Sequence, residues 1–125
     1  MLANHKEINE LPTYKRWLMA TRPKTLSASV SPVLFAFSIV HFFNETTPSV
    51  SILLTTMICA LLMQIGTNLV NDYFDGVKGI DKEDRLGPIR VVAAGLIPAR
   101  RIQFGYQICF FLAFLIGVYL MSIGG

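Results

Sequence analysis

The sequence predicts an all-α membrane protein: three transmembrane helices, with a long cytoplasmic loop between the second and third. Three observations lead there. Of the 125 residues, 53% are hydrophobic and only 15% charged, against about 25% charged in a soluble domain. Three runs, residues 26–43, 52–70 and 102–123, hold no Lys, Arg, Asp or Glu. Each is close to the roughly 20 residues that cross a hydrocarbon core. Finally, all 11 Lys and Arg stand before the first run or between the second and third. The positive-inside rule then puts the N-terminus and the 71–101 loop in the cytoplasm. Nothing in the +3 net charge asks for a nucleic acid partner.

Residues 1–12 are polar. Residues 13–24 read as an interfacial stretch, with Tyr14 and Trp17 as belt aromatics and Lys15 and Arg16 toward headgroups. Arg22-Pro23-Lys24 opens the first span, residues 26–43, where proline suits the first helical turn. Pro32 frees a carbonyl inside that helix. Ser27, Ser29 and Ser31 can cover it, and Ser27, Ala28 and Ser31 suit close helix contact. Residues 44–49 form a tight turn that makes the first two spans antiparallel neighbours, with Thr47 or Ser49 as cap.

The second helix continues past its uncharged run, giving a span of residues 52–75. In the long connection, Leu86, Ile89, Val91, Val92, Leu96 and Ile97 suggest a short amphipathic helix between two turn signals, Gly87-Pro88 and Gly95-Leu96-Ile97-Pro98. Gln103 and Gln107 put a small polar face at the start of the third span, 102–123. Cys59 and Cys109 lie in predicted spans with no nearby histidine and read as packing residues. The chain ends at Ser122-Ile123-Gly124-Gly125 with no polar tail. Residues 1–125 are therefore expected to be the N-terminal part of one domain of a larger protein.

The chemistry concentrates in residues 68–81. At about 100° per residue, Gln64, Asn68, Asn71, Asp72 and Asp75 share one helix face. A polar stripe thus runs down an apolar helix and ends in acid at the membrane edge. Polar groups there are costly and point to a functional site. Asp72 and Asp75 are hard oxygen donors one turn apart, suited to Mg²⁺, which takes one or two carboxylates and fills its shell with water and phosphate. Arg22, Lys24, Lys78, Lys82, Arg85 and Arg90 surround the spot. Acid and base together suit a metal-bridged phosphate. Phe35, Phe37, Met57, Met63, Phe104 and Tyr106 supply apolar surface beneath it, for a hydrocarbon tail. Read more plainly, the acids are solvated charges beyond a helix end, paired with the loop's cations, and Arg22 and Lys24 are membrane anchors.

Residues 71–90, from Asn71-Asp72-Tyr73-Phe74-Asp75-Gly76 through Gly87-Pro88-Ile89-Arg90, resemble the first aspartate-rich motif of the intramembrane aromatic prenyltransferase superfamily. The branch most similar is that of 1,4-dihydroxy-2-naphthoate polyprenyltransferase in menaquinone biosynthesis, which Arg22-Pro23-Lys24-Thr25-Leu26 also resembles. The resemblance runs from Trp17 to the third helix. It implies a multi-helix prenyltransferase bundle in the bacterial plasma membrane. It implies a polyprenyl diphosphate donor, a naphthoate acceptor and Mg²⁺ as cofactor.

By the resemblance, Asn71, Asp72, Asp75 and Asp81 would contact the metal. Asp72, Asp75 and Lys78 would be catalytic, and Asn68, Asn71, Arg22, Lys24, Arg85 and Arg90 would bind substrate. Where ubiquinone-pathway relatives place an aspartate this chain has Gly79, and Asp81 follows two residues later, as in the naphthoate branch. The family's second aspartate-rich motif and its further helices are not in this chain, so the chain alone is expected to be an incomplete enzyme.

Two other enzyme or binding classes fail on spacing. Asp75-Gly76 is followed by Val77-Lys78-Gly79-Ile80 rather than the Ala-Arg pattern of CDP-alcohol phosphatidyltransferases. The alternating acids of a calcium loop are also absent. A small three-span subunit or transporter fragment without catalysis is the non-enzymatic alternative.

Overall fold

The structure, a computed structural model, describes residues 5–44, 49–79 and 88–124. Two short helices, α1 (His5–Asn9) and α2 (Thr13–Thr21), precede three long ones, α3 (Pro23–Asn44), α4 (Val50–Lys78) and α5 (Ala99–Gly124). No strand occurs among the described residues. All three long helices are long and apolar enough to cross a membrane, so the chain is an all-helical integral membrane protein. Each helix extends beyond its uncharged run, because a helix gains a backbone hydrogen bond with every added residue whether or not that residue is in lipid.

The α2–α3 break follows from Pro23. A residue before proline is pushed out of the right-handed α region. Arg22 accordingly sits at φ 51°, in the left-handed region, as the C-cap of α2, with its N–H donating to Met19 O at 3.3 Å. Pro23 is then the first residue of α3. Within α3 the serines do not cover the carbonyl that Pro32 frees on Ala28. Ser27, Ser29 and Ser31 donate instead to the carbonyls of Lys24, Leu26 and Ser27. Nor do Ser27, Ala28 and Ser31 form a packing seam, since all three are exposed. At the start of α4, Ser49 holds the N-cap position but its hydroxyl makes no cap bond. Thr47 lies outside the described residues.

α4 is the central helix, packing along α5 most extensively and also against α3 and α2. α4 and α5 run antiparallel. The Cys59 thiol meets Ala113 O at 3.5 Å, Gly66 faces Phe110, and Tyr73 meets Tyr106 with ring centroids 5.8 Å apart. The buried core sits at one end of this bundle. Ile8, Ala20, Leu69, Val91, Leu96, Ile97 and Ile102 form it, with Trp17, Tyr73, Tyr106 and Cys109 packed around. That is the end where α4 turns acidic.

Elsewhere the long helices present open apolar faces. Phe35, Met63 and Phe104, expected beneath the site, are exposed, whereas Tyr106 packs on the core. Such apolar faces suit contact with lipid or with further protein.

The amphipathic helix expected in the long connection is a single helical turn. Gly95 adopts φ 70°. Its N–H donates to Val92 O at 3.0 Å, and the Leu96 N–H donates to Val91 O at 2.9 Å. This pair of bonds is a Schellman closure, which ends a helix at a left-handed glycine. Pro98 follows at once. Three of the apolar residues, Val91, Leu96 and Ile97, do face the core. Leu86 and Gly87 lie outside the described residues.

Arg16 also departs from expectation. Its guanidinium turns inward and donates to Leu11 O at 2.9 Å, Leu96 O at 3.1 Å and Asn9 O at 2.9 Å. Carbonyls at helix ends and in turns need partners, and the five-donor fork of arginine can serve three at once.

Candidate functional site

The stripe on α4 is built by helical spacing: Asn68, Asp72 and Asp75 stand at i, i+4 and i+7. What faces it differs along its length. Asn68 is buried and braces the α2–α3 junction, its amide donating to Thr21 O and to Thr25 Oγ1, both at 2.9 Å. Its Oδ1 accepts from Gln64 Nε2 at 3.4 Å. Two donors and one acceptor of Asn68 are therefore engaged within the protein.

Asp72 is 2% exposed. Its Oδ2 accepts the Val91 N–H at 3.2 Å. Asp75 pairs with Arg90, Nη2 to Oδ2 at 2.7 Å, and the Arg90 side chain is itself only 6% exposed. A charge-assisted bond this short is among the strong ones. It is also needed, because a charge buried without a partner costs several kcal/mol. Two further Arg90 nitrogens, Nε and Nη1, are buried without a hydrogen-bond partner among the described residues, as is Nη2 of Arg22. The site thus holds buried donors with unused capacity, beside two carboxylates.

The 90–93 turn can lie this close because residue 76 is glycine. A Cβ there would stand 2.6 Å from Val92 Cβ and 3.1 Å from the Ala93 nitrogen. Val91 at 0% exposure plugs the turn into the core.

The structure therefore brings together Asn68, Asp72, Asp75 and Arg90, with Arg22 next to the Thr21 carbonyl that Asn68 binds. Asn71 is exposed, about 100° around the helix from Asp72. Lys24 is exposed on the first turn of α3. Lys78 is exposed and lies over the Phe74 ring, 5.4 Å from its centroid. Asp81 and Arg85 lie outside the described residues, as does Lys82. Sequence reasoning missed Thr21 and Thr25, the Val91 N–H and the packing role of Gly76. Backbone partners leave no mark on side-chain identity. Only the Gly beside Asp75 was a visible signal.

Among the described residues no group of three Asp, Glu, His or Cys is placed to hold a metal ion. Asp72 and Asp75, one turn apart, are the carboxylates that the described part of the stripe offers. That donor chemistry fits Mg²⁺ held largely by water and substrate phosphate. A groove of about 840 Å³ lies elsewhere, on the α2–α5 flank, lined by Trp17, Arg100, Arg101, Gln103, Phe104 and Gln107 among others. It includes none of the stripe.

Fold and site together define a membrane-embedded helical protein with a carboxylate–arginine cluster at one end of its spans. The chain belongs to the UbiA prenyltransferase family, which it matches over residues 29–123. It is 30% identical over 122 residues to a 1,4-dihydroxy-2-naphthoate octaprenyltransferase of Haemophilus influenzae. It is 36% identical over 107 residues to that of Escherichia coli, and 33% over 103 residues to that of Bacillus subtilis. These alignments cover 98%, 86% and 82% of this chain, but 39%, 34% and 32% of the relatives. The chain thus spans about a third of the length of the curated relatives it matches. No solved structure matches it.

Proposed function

We propose that this chain supplies one wall of a site that transfers a polyprenyl group from polyprenyl diphosphate to 1,4-dihydroxy-2-naphthoate. The observation that carries the reading is the Asp72–Asp75 pair beside the buried Arg90 at one end of an apolar helix bundle. A diphosphate on a hydrocarbon tail needs both phases. Charge handling belongs at the membrane edge, and the tail belongs along the spans.

In this reading Asp72 and Asp75 hold Mg²⁺, with Asn71 and Asp81 assisting. The ion, when bound, acts as Lewis acid on the diphosphate. Arg90 and Arg22 offer their unused donors to the remaining phosphate oxygens, and Lys24, Lys78 and Arg85 add positive charge at the rim. This stabilises the leaving diphosphate as the allylic C–O bond ionises. The electron-rich naphthoate ring attacks the resulting cation, and its carboxylate leaves as CO₂. Asn68 keeps the α2–α3 junction, and so Arg22, against the acid stripe. The distribution of Lys and Arg supports a cytoplasmic position for this end, and the octaprenyltransferase relatives support a bacterial plasma membrane.

The test is Asp75→Asn in the protein as it occurs in its membrane, followed by Mg²⁺-dependent transfer of a labelled prenyl group to the naphthoate. Loss of a charge-stabilising group of this kind lowers turnover by about 10²–10³-fold. Undiminished transfer by the variant overturns the proposal.

A further inference from the structure

We infer that Arg16 is a positioning residue for the acid site. Its three hydrogen bonds join segments far apart in the chain. Asn9 and Leu11 belong to the N-terminal stretch around α1, while Leu96 lies 80 residues away, in the turn that covers Asp72 and Asp75. The turn is a unit. Its Schellman closure ties Leu96 N–H to Val91 O, and Val91 N–H in turn binds Asp72. Arg90, which pairs with Asp75, is the next residue back. Holding the Leu96 carbonyl therefore holds the backbone that aims Arg90 and the Val91 amide at the two carboxylates.

The anchor itself is firm. Ile8 is buried in the same cluster as Leu96 and Ile97, with Leu11 and Trp17 packed against it. Trp17, the next residue, lies over Gly105 of α5, whose added Cβ would stand 3.2 Å from the indole. The chain around Arg16 is thus seated on both the N-terminal segment and α5. Lysine cannot replace arginine here, because a single ammonium on a flexible stem does not span three carbonyls in a fixed plane.

The link between Arg16 and the turn stands on geometry alone. Its meaning for diphosphate binding rests on the function proposed above, and the two are separable by experiment. The full chain, in detergent micelles, is compared with Arg16→Gln, Arg16→Lys and Arg16→Gly. Amide hydrogen exchange is followed at Val91 and along α4 and α5, and affinity is measured for magnesium pyrophosphate. Losing a charged hydrogen bond corresponds to about a ten- to hundredfold change in a local equilibrium. Val91 exchange is expected to rise by that factor in all three variants, with α4 and α5 still protected. Affinity for magnesium pyrophosphate should fall in parallel. Added guanidinium should restore both in Arg16→Gly but not in Arg16→Gln.

Unchanged Val91 exchange in Arg16→Gln overturns the inference. Loosening spread evenly over α4 and α5 also overturns it, showing a general stabilising role instead. Because this chain is one wall of the site, the function proposed above is decided by the Asp75→Asn transfer assay, while the exchange at Val91 by itself decides the role of Arg16.

Discussion

Gly76→Ala tests whether the turn's close approach to α4 builds the site. The added methyl would meet Val92 Cβ at 2.6 Å and the Ala93 nitrogen at 3.1 Å. Carbon atoms in contact sit at about 3.5–4.0 Å, so the turn must retreat by about 1 Å. Neither obstructing atom belongs to the far end of a flexible side chain, so the segment moves as a whole. The Val91 N–H bond to Asp72, now 3.2 Å, would stretch to about 4 Å, beyond hydrogen-bonding range.

The alternative is to stay docked under strain. Overpacking of this kind costs about 1–3 kcal/mol, and loss of a hydrogen bond to a charged group about 1.5–3 kcal/mol. The chain takes the cheaper route, so the two are not added. Alanine returns about 1 kcal/mol through helix propensity. For the retreat, a net loss of about 0.5–2 kcal/mol in turn docking follows, a shift of roughly two- to thirtyfold in its equilibrium. The Val91 amide proton, observed by NMR in micelles, should lose the signature of a carboxylate-bonded N–H, while helix content by circular dichroism stays constant. Gly117→Ala, where a Cβ meets nothing within 4 Å, is the matched control and should change neither. An unaltered Val91 resonance in Gly76→Ala would refute the reasoning.

Two further substitutions probe the supports on either side. Asn68→Leu keeps side-chain bulk but leaves the Thr21 carbonyl without its donor, and should lower stability by about 1–3 kcal/mol, read as a lower melting temperature in detergent. An unchanged melting temperature would show that water or another group replaces the amide. Gly95→Ala forces a side chain into φ 70° at a cost of about 1–2 kcal/mol. Limited proteolysis should then cut within residues 88–97 sooner than in the unaltered chain, and equal cutting rates would remove the Schellman turn from the account.

Some of this was written in the chain's linear pattern. Uncharged runs of membrane length demand helices, since a backbone in lipid must satisfy its own hydrogen bonds. Lys and Arg confined to two segments favour, by the positive-inside rule, one orientation of those helices. The i, i+4, i+7 placement of Asn68, Asp72 and Asp75 makes them one stripe on any helix that includes them. Pro23 dictates a break after Arg22, and Gly95 before Pro98 dictates a stop. All of these are local rules, acting within one or two turns.

Partners across long sequence separations follow no such rule. Among the described cations near the stripe, Arg90 pairs with Asp75, while Lys78 lies over Phe74 and Lys24 is exposed at the start of α3. Charge alone does not distinguish them, because a solvent-facing ion pair is worth little and any of them could form one. The selection comes from burial. Val91 in the core draws the neighbouring Arg90 inward with it, and a buried guanidinium must meet a carboxylate. Arg16 was read from sequence as a headgroup contact, and only packing showed it clasping three carbonyls. The polar stripe was thus determined by the sequence through helical period, whereas what covers it was decided by tertiary structure, through the requirement that every buried charge and carbonyl find a partner.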